Sequence, residues 1–184
     1  MTGAQAKSTI GAWDPLVRIA HWSLVATVLA AWLTSDGGGK WHEWLGWTTL
    51  AIVLARITWG WIGPRQARFT QFVRSPAMTL DYLHRVLARA EPRYIGHNPL
   101  GACMVLALLL GVMLVALSGW LMTTEAYWGV EWMEELHEGL TNLLLAMVGL
   151  HVAGVAFSSI RHRENLVAAM WHGRKRAPAR DDVV

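Results

Sequence analysis

Apolar residues gather into four long runs, and polar or charged residues gather between them. The runs cover 17–34 (VRIAHWSLVATVLAAWLT), 42–62 (HEWLGWTTLAIVLARITWGWI), 99–123 (PLGACMVLALLLGVMLVALSGWLMT) and 136–158. A helix crossing a bilayer needs about 20 mostly apolar residues, so each run predicts one membrane span. The glycines of DGGGK (36–40) break the chain after the first run, and GPR (63–65) stops the second. Asn98 followed by Pro99 predicts a helix cap and first helical residue for the third. Two shorter stretches carry apolar residues at helical spacing. Residues 76–90 (PAMTLDYLHRVLARA) place Leu80, Leu83, Val86 and Leu87 on one face, and 163–173 (RENLVAAMWHG) is the second. Both predict amphipathic helices lying on the membrane surface. The expected fold is an all-α, integral membrane four-helix bundle forming a single domain over 1–184. The third and fourth runs carry small-xxx-small spacing, as at Gly149, Ala153 and Phe157 flanked by Gly154, which allows close helix packing.

Composition supports a membrane protein. Apolar residues make up 54% of the 184 and charged residues only 16%. Many of the twelve tryptophans fall at run ends, among them Trp22, Trp41, Trp44, Trp59, Trp61, Trp120, Trp128 and Trp132. That is the aromatic-belt distribution of a bilayer-spanning chain. The net charge of +3 does not point to nucleic acid, because the basic residues sit between the runs. Arg65, Arg68, Arg74, Arg85, Arg89 and Arg93 dominate 63–98, and the C-terminal tail is also basic. The 124–135 connection holds Glu125, Glu131, Glu134 and Glu135 and no basic residue. By the positive-inside rule, both termini and 63–98 are cytoplasmic and the acidic connection faces outward. The expected location is the cytoplasmic membrane, which is the inner membrane if the cell is a Gram-negative bacterium. The single cysteine, Cys103, lies inside an apolar run and is expected to be a small core residue. No C-x-x-C-H stands in the chain to attach a haem covalently.

The expensive residues are the ionisable ones inside the runs. His137 and His151 are fourteen positions apart in the fourth run. Fourteen residues rise about 21 Å and return to within about 40° of the same face, so both rings share one helix stripe. With the fourth run entering from outside, His137 is near the outer surface and His151 toward the cytoplasmic half. His21 lies early in a run that starts inside, at the depth of His151. His42 begins a run that starts outside, at the depth of His137. Two facing imidazoles can hold a haem iron from both axial sides, in a pocket between bundle helices. Any one ring at a helix end is more often interfacial, but four rings at matched depths on three helices favour two ligand pairs. His97 is expected to be interfacial, and His84, His162 and His172 to lie in solvated basic segments. Arg56 and Arg18 have two readings: snorkelling to the interface, or contacts to haem propionates or a quinone headgroup.

At this point the chain resembles a known family. WDPLVRIAHW, WHEWLGWTTLAIVLARITWGWIGP, GHNPLGACMVLALLL and LHEGLTNLLLAMVGLHVAG followed by ENLVAAMWHG are similar to the prokaryotic cytochrome b561 family, which includes the membrane cytochrome b of nickel–iron hydrogenases. The resemblance spans about 12–176. It implies a four-helix bundle with two haem b groups, His21 and His151 binding the inner one and His42 and His137 the outer one. It also implies electron exchange between membrane quinone and a periplasmic donor or acceptor. Cytochrome c, a hydrogenase and superoxide are the candidate partners; in the last case ubiquinone is the acceptor. The acidic connection would repel superoxide, so a basic residue such as Lys40 would have to offset it. The rival from another class is a metal-ion transporter using the histidines as a relay. It requires carboxylates beside the rings in mid-membrane. The third and fourth runs hold none except Glu138 at the edge.

Overall fold

The computed structural model describes residues 9–36 and 39–183. Gly37 and Gly38 of the DGGGK break lie outside the described residues. Four helices are long and apolar enough to cross a membrane: α1 (Pro15–Leu33), α2 (Lys40–Ile62), α5 (Pro99–Met122) and α6 (Glu131–Arg161). Between α2 and α5 come a short 3₁₀ turn, α3 (Phe69–Phe72) and α4 (Pro76–Leu87). After α6 comes α7 (Leu166–His172). All-α is therefore the class, with one addition the periodicity did not announce. A two-stranded antiparallel ribbon pairs β1 (Thr9–Gly11) with β2 (Arg174–Arg176).

Local chemistry starts the helices where side chains can satisfy free backbone N–H groups. Asp14 accepts from the Val17 amide at 3.1 Å ahead of Pro15, and Asn98 accepts from the Gly101 amide at 2.7 Å ahead of Pro99. Asn165 does the same for Ala168 at 2.8 Å. α6 begins five residues before the expected start, at Glu131. Glu131 and Glu134 thus sit in its first turn, where carboxylates complement the helix dipole, rather than in a loop.

α1 packs on α2, α2 on α5, and α5 on α6. The buried core joins Leu50 and Val53 of α2, Phe69 and Phe72 of α3, Ala102, Leu109 and Val112 of α5, and Leu144 of α6. The close α5–α6 approach is made at Gly111, where a Cβ would stand 2.7 Å from the Met147 methyl. The expected packing at Gly149 and Gly154 is not there: a Cβ at either position would meet nothing within 4 Å. Small residues are common in membrane helices, so their spacing alone did not identify the contact face. Cys103 is also corrected, because it is exposed on α5. α5 is apolar all round, so apolarity there does not distinguish the core face from the outer face. Leu29, Trp41, Leu54, Trp61, Leu110, Leu150 and Ile160 are exposed as well. A surface this apolar suits lipid rather than water.

One end of the bundle is closed by ion pairs. Arg93 is buried and donates to Glu164 at 2.7 Å and to Asp182 at 2.5 Å. Arg161 pairs with Glu91 at 2.7 Å. Burial alone would raise the Glu164 carboxyl, but hydrogen bonds from Arg93 and the Arg176 amide hold it below its ordinary value. The ribbon and an isolated bridge from Tyr94 to Val183 complete the closure. The N-terminal segment, the 63–98 connection and the tail therefore meet at the same end. Charges that the sequence offered as orientation signals also lock these segments together.

Candidate functional site

The four spans bring the histidines together as two pairs. His21 of α1 and His151 of α6 have ring centroids 6.4 Å apart and planes inclined at 56°. His42 of α2 and His137 of α6 are 6.2 Å apart at 85°. All four rings are half-buried. In both cases the partner rings come from helices whose backbones do not pack closely. α6 lies along α5 and makes no comparable backbone packing with α1 or α2. The rings reach across that separation.

The spacing has a direct chemical reading. A metal–imidazole bond of ~2.0–2.1 Å on each side of one ion puts two coaxial ring centroids roughly 6.3 Å apart. Both pairs match it. Two ligands alone do not complete a tetrahedral protein site, and no group of three or more His, Cys, Asp or Glu residues converges among the described residues. The donor set therefore suits an ion whose other ligands would come from a bound macrocycle, with one imidazole pair holding it.

The outer pair is oriented by the protein. The His42 Nδ1–H donates to the Ala31 carbonyl at 2.8 Å, in the last turn of α1, where the Thr34 amide reaches the same carbonyl at 3.3 Å. His137 Nδ1 lies 2.9 Å from Ser118 Oγ, and the Ser118 hydroxyl donates to the Val115 carbonyl at 3.0 Å. That leaves the imidazole as donor to Oγ. Each ring thus carries its proton on Nδ1 and keeps its Nε2 lone pair for a metal. α5 approaches this ring closely at Gly119, where a Cβ would stand 3.0 Å from His137 Cε1.

The inner pair is less constrained. His21 Nδ1 is buried and has no hydrogen-bond partner. Its ring stands edge-on to Trp22 at 5.0 Å, and Trp22 in turn meets Trp171 of α7 at 5.5 Å. Arg56 is buried on α2. One of its terminal nitrogens, Nη1, has no partner, while Nη2 donates to the Ala67 carbonyl at 3.5 Å. Arg18 instead donates to the carbonyls of Met170 and Trp171 at the end of α7.

His97 is not simply interfacial. It is stacked between Trp13 at 4.6 Å and Phe72 at 4.5 Å, because β1 and α3 fold over the start of α5. Burial, with the nearby charges of Lys175 and Arg56, pushes its pKa down to about 3. His84 and His172 are exposed and His162 is half-buried, away from both pairs. Periodicity missed Ser118, Lys175 and the Trp13–His97–Phe72 stack. Ser118 had a signal in the sequence, as a hydroxyl inside the most apolar run. Lys175 had none, since its burial depends on the tail folding back.

A family model described as prokaryotic cytochrome b561 matches residues 12–173. No curated protein and no solved structure matches the chain. The match covers all four long helices and both histidine pairs, and with the span architecture it makes this a multi-pass membrane protein of the b-type, haem-binding, electron-transferring kind. The chain belongs to the prokaryotic cytochrome b561 family.

Proposed function

We propose that the chain binds two haem b groups and carries electrons across the bacterial inner membrane, between the quinone pool and a periplasmic redox partner. His21 and His151 would hold the inner haem, and His42 and His137 the outer one. The observation that carries this reading is the ring spacing, 6.4 Å in one pair and 6.2 Å in the other. α6 contributes to both pairs, at positions about 21 Å apart along its axis. A haem iron held this way supplies reversible one-electron chemistry between its ferric and ferrous forms.

The protein's part is positioning. The Ala31 carbonyl and Ser118 fix the tautomers of His42 and His137, so that both Nε2 atoms keep a lone pair for a metal. The apolar outer walls exclude water from the half-buried rings. Arg18 holds α7 against the start of α1, and we assign it this anchoring role rather than a contact to quinone. Ion pairing among Arg93, Glu164 and Asp182 keeps the closed end in place, which by the excess of arginine in 63–98 is the cytoplasmic end.

The outer end favours one class of partner over another. Glu125, Glu131, Glu134 and Glu135 are all exposed there. Such a surface attracts a basic protein such as a cytochrome c and repels superoxide. Anaerobic stopped-flow mixing tests this directly. The haems, reduced in detergent, are mixed in turn with oxidised cytochrome c and ubiquinone; the oxidised protein is mixed with quinol and superoxide. The reading predicts rapid exchange with a quinone or quinol and with cytochrome c, the latter slowing with salt. Fast reduction by superoxide and none by quinol would favour the superoxide oxidase alternative. Exchange with neither, but with a co-purifying hydrogenase, would favour the subunit role.

A further inference from the structure

We propose that Arg56 and Lys175 are the seats for the two carboxylates of the inner haem, one propionate on each. The inference rests on the proposed haem between His21 and His151 and concerns what neutralises that end of the site.

Four charged side chains are buried among the described residues: Arg56, Glu91, Arg93 and Lys175. Glu91 and Arg93 have ion-pair partners. Arg56 and Lys175 have no carboxylate within 4.0 Å among the described residues. Lys175 is 5% exposed and donates only to the Tyr94 carbonyl, at 3.4 Å. Arg56 is 6% exposed and leaves Nη1 unpartnered. Asp14 is the carboxylate whose charge reaches Arg56, but its Oδ1 is engaged by the Trp59 indole at 3.0 Å and the Val17 amide. Glu164 acts on Lys175 from farther off and is held by Arg93. Two buried cations without ion-pair partners are costly unless an anion joins them.

Both cations flank one aromatic layer. Lys175 stands 5.1 Å over Trp13, which meets His97, then Phe72, then Phe69, and Arg56 lies 5.1 Å over Phe69. Arg56 follows His42 by fourteen residues in α2 as His151 follows His137 by fourteen in α6, so Arg56 stands at the depth of His151, and Trp13, under Lys175, lies eight residues before His21 at the same end of the bundle. A macrocycle between His21 and His151 would carry two carboxylates, and this end offers two unpaired cations. A guanidinium binds carboxylate in a fork, while an ammonium acts as a point charge.

The test uses the haem-loaded protein purified in detergent, as Arg56→Gln, Lys175→Met and the conservative Arg56→Lys. Redox titration resolves the two haems. Each neutral variant should lower the inner-haem potential by about a tenfold change in its reduction equilibrium, or ~59 mV for one electron. The same variants should make that potential pH-dependent near neutrality, because a released propionate can take up a proton. The outer haem should not respond, and Arg56→Lys should recover most of the shift. The haem-free protein, from a haem-deficient host, should be more stable to heat as Arg56→Gln, since an unpaired buried charge is gone. Unchanged inner-haem potential and pH profile in both neutral variants would overturn the proposal. So would equal effects on both haems, or a destabilised haem-free Arg56→Gln. If that variant does not accumulate, Lys175→Met decides alone. The underlying reading fails separately, if His21→Ala retains both haems.

Discussion

The two histidine pairs have nearly equal ring spacing but different surroundings. In the outer pair both Nδ1 atoms are engaged, by the Ala31 carbonyl and by Ser118. In the inner pair His21 Nδ1 is buried without a partner. The outer site is therefore oriented by hydrogen bonds within the bundle itself. The inner site relies on packing, with Trp22 against His21 and Trp171 behind it. Positioning of the first kind survives loss of the cofactor. The second kind is expected to tighten only when the site is filled.

The largest effect should separate the pairs outright. His151→Ala should lose the inner haem and keep the outer, and His137→Ala should do the reverse, as read from haem content and the split of the reduced α-band. Loss of both haems in each variant would break the independence of the two sites. Next, Arg93→Ala removes one side of a buried ion-pair group, a change typically worth about 3–5 kcal/mol. It should loosen the tail and expose the inner haem to reductant or protease while the outer haem spectrum stays the same.

Ser118→Ala should weaken retention of the outer haem by roughly 10–100-fold, the usual cost of losing a hydrogen bond behind a metal-bound histidine. The inner haem should be unaffected. If both haems bind as before, the claim that the outer site is hydrogen-bond oriented is wrong.

The smallest effect concerns pH. His97 has a folded pKa of about 3, below its ordinary 6.5, so its neutral form is the one the fold accepts. Stability linked to this group is full above pH 6.5 and declines as the pH falls toward 3, by at most ~1.4 kcal/mol per unit. Thermal unfolding between pH 7 and pH 5 should show a shallower acid loss for His97→Gln than for the unaltered chain, about one proton's difference. Identical slopes would show that His97 is not held neutral.

The spans and the histidine pairing were legible because bilayer thickness and the helix repeat are strict constraints. Depth alone matched His21 with His151 and His42 with His137. Cys103 and Gly149 were misplaced because a helix that is apolar all round does not reveal which face meets protein. The start of α6 was read late because Glu131 and Glu134 look like loop residues, yet they serve a helix N-terminus well. Lys175 and His97 were illegible for a different reason. Their burial depends on β1, α3 and the tail closing over one end, contacts between segments far apart in sequence that no local pattern encodes.

The most direct test of the central claim is the ratio of haem to protein in the purified, unaltered chain, by pyridine haemochrome assay against amino-acid analysis. The account predicts two b-type haems per chain. A ratio of one, or a preparation whose spectrum does not change on reduction, would contradict it.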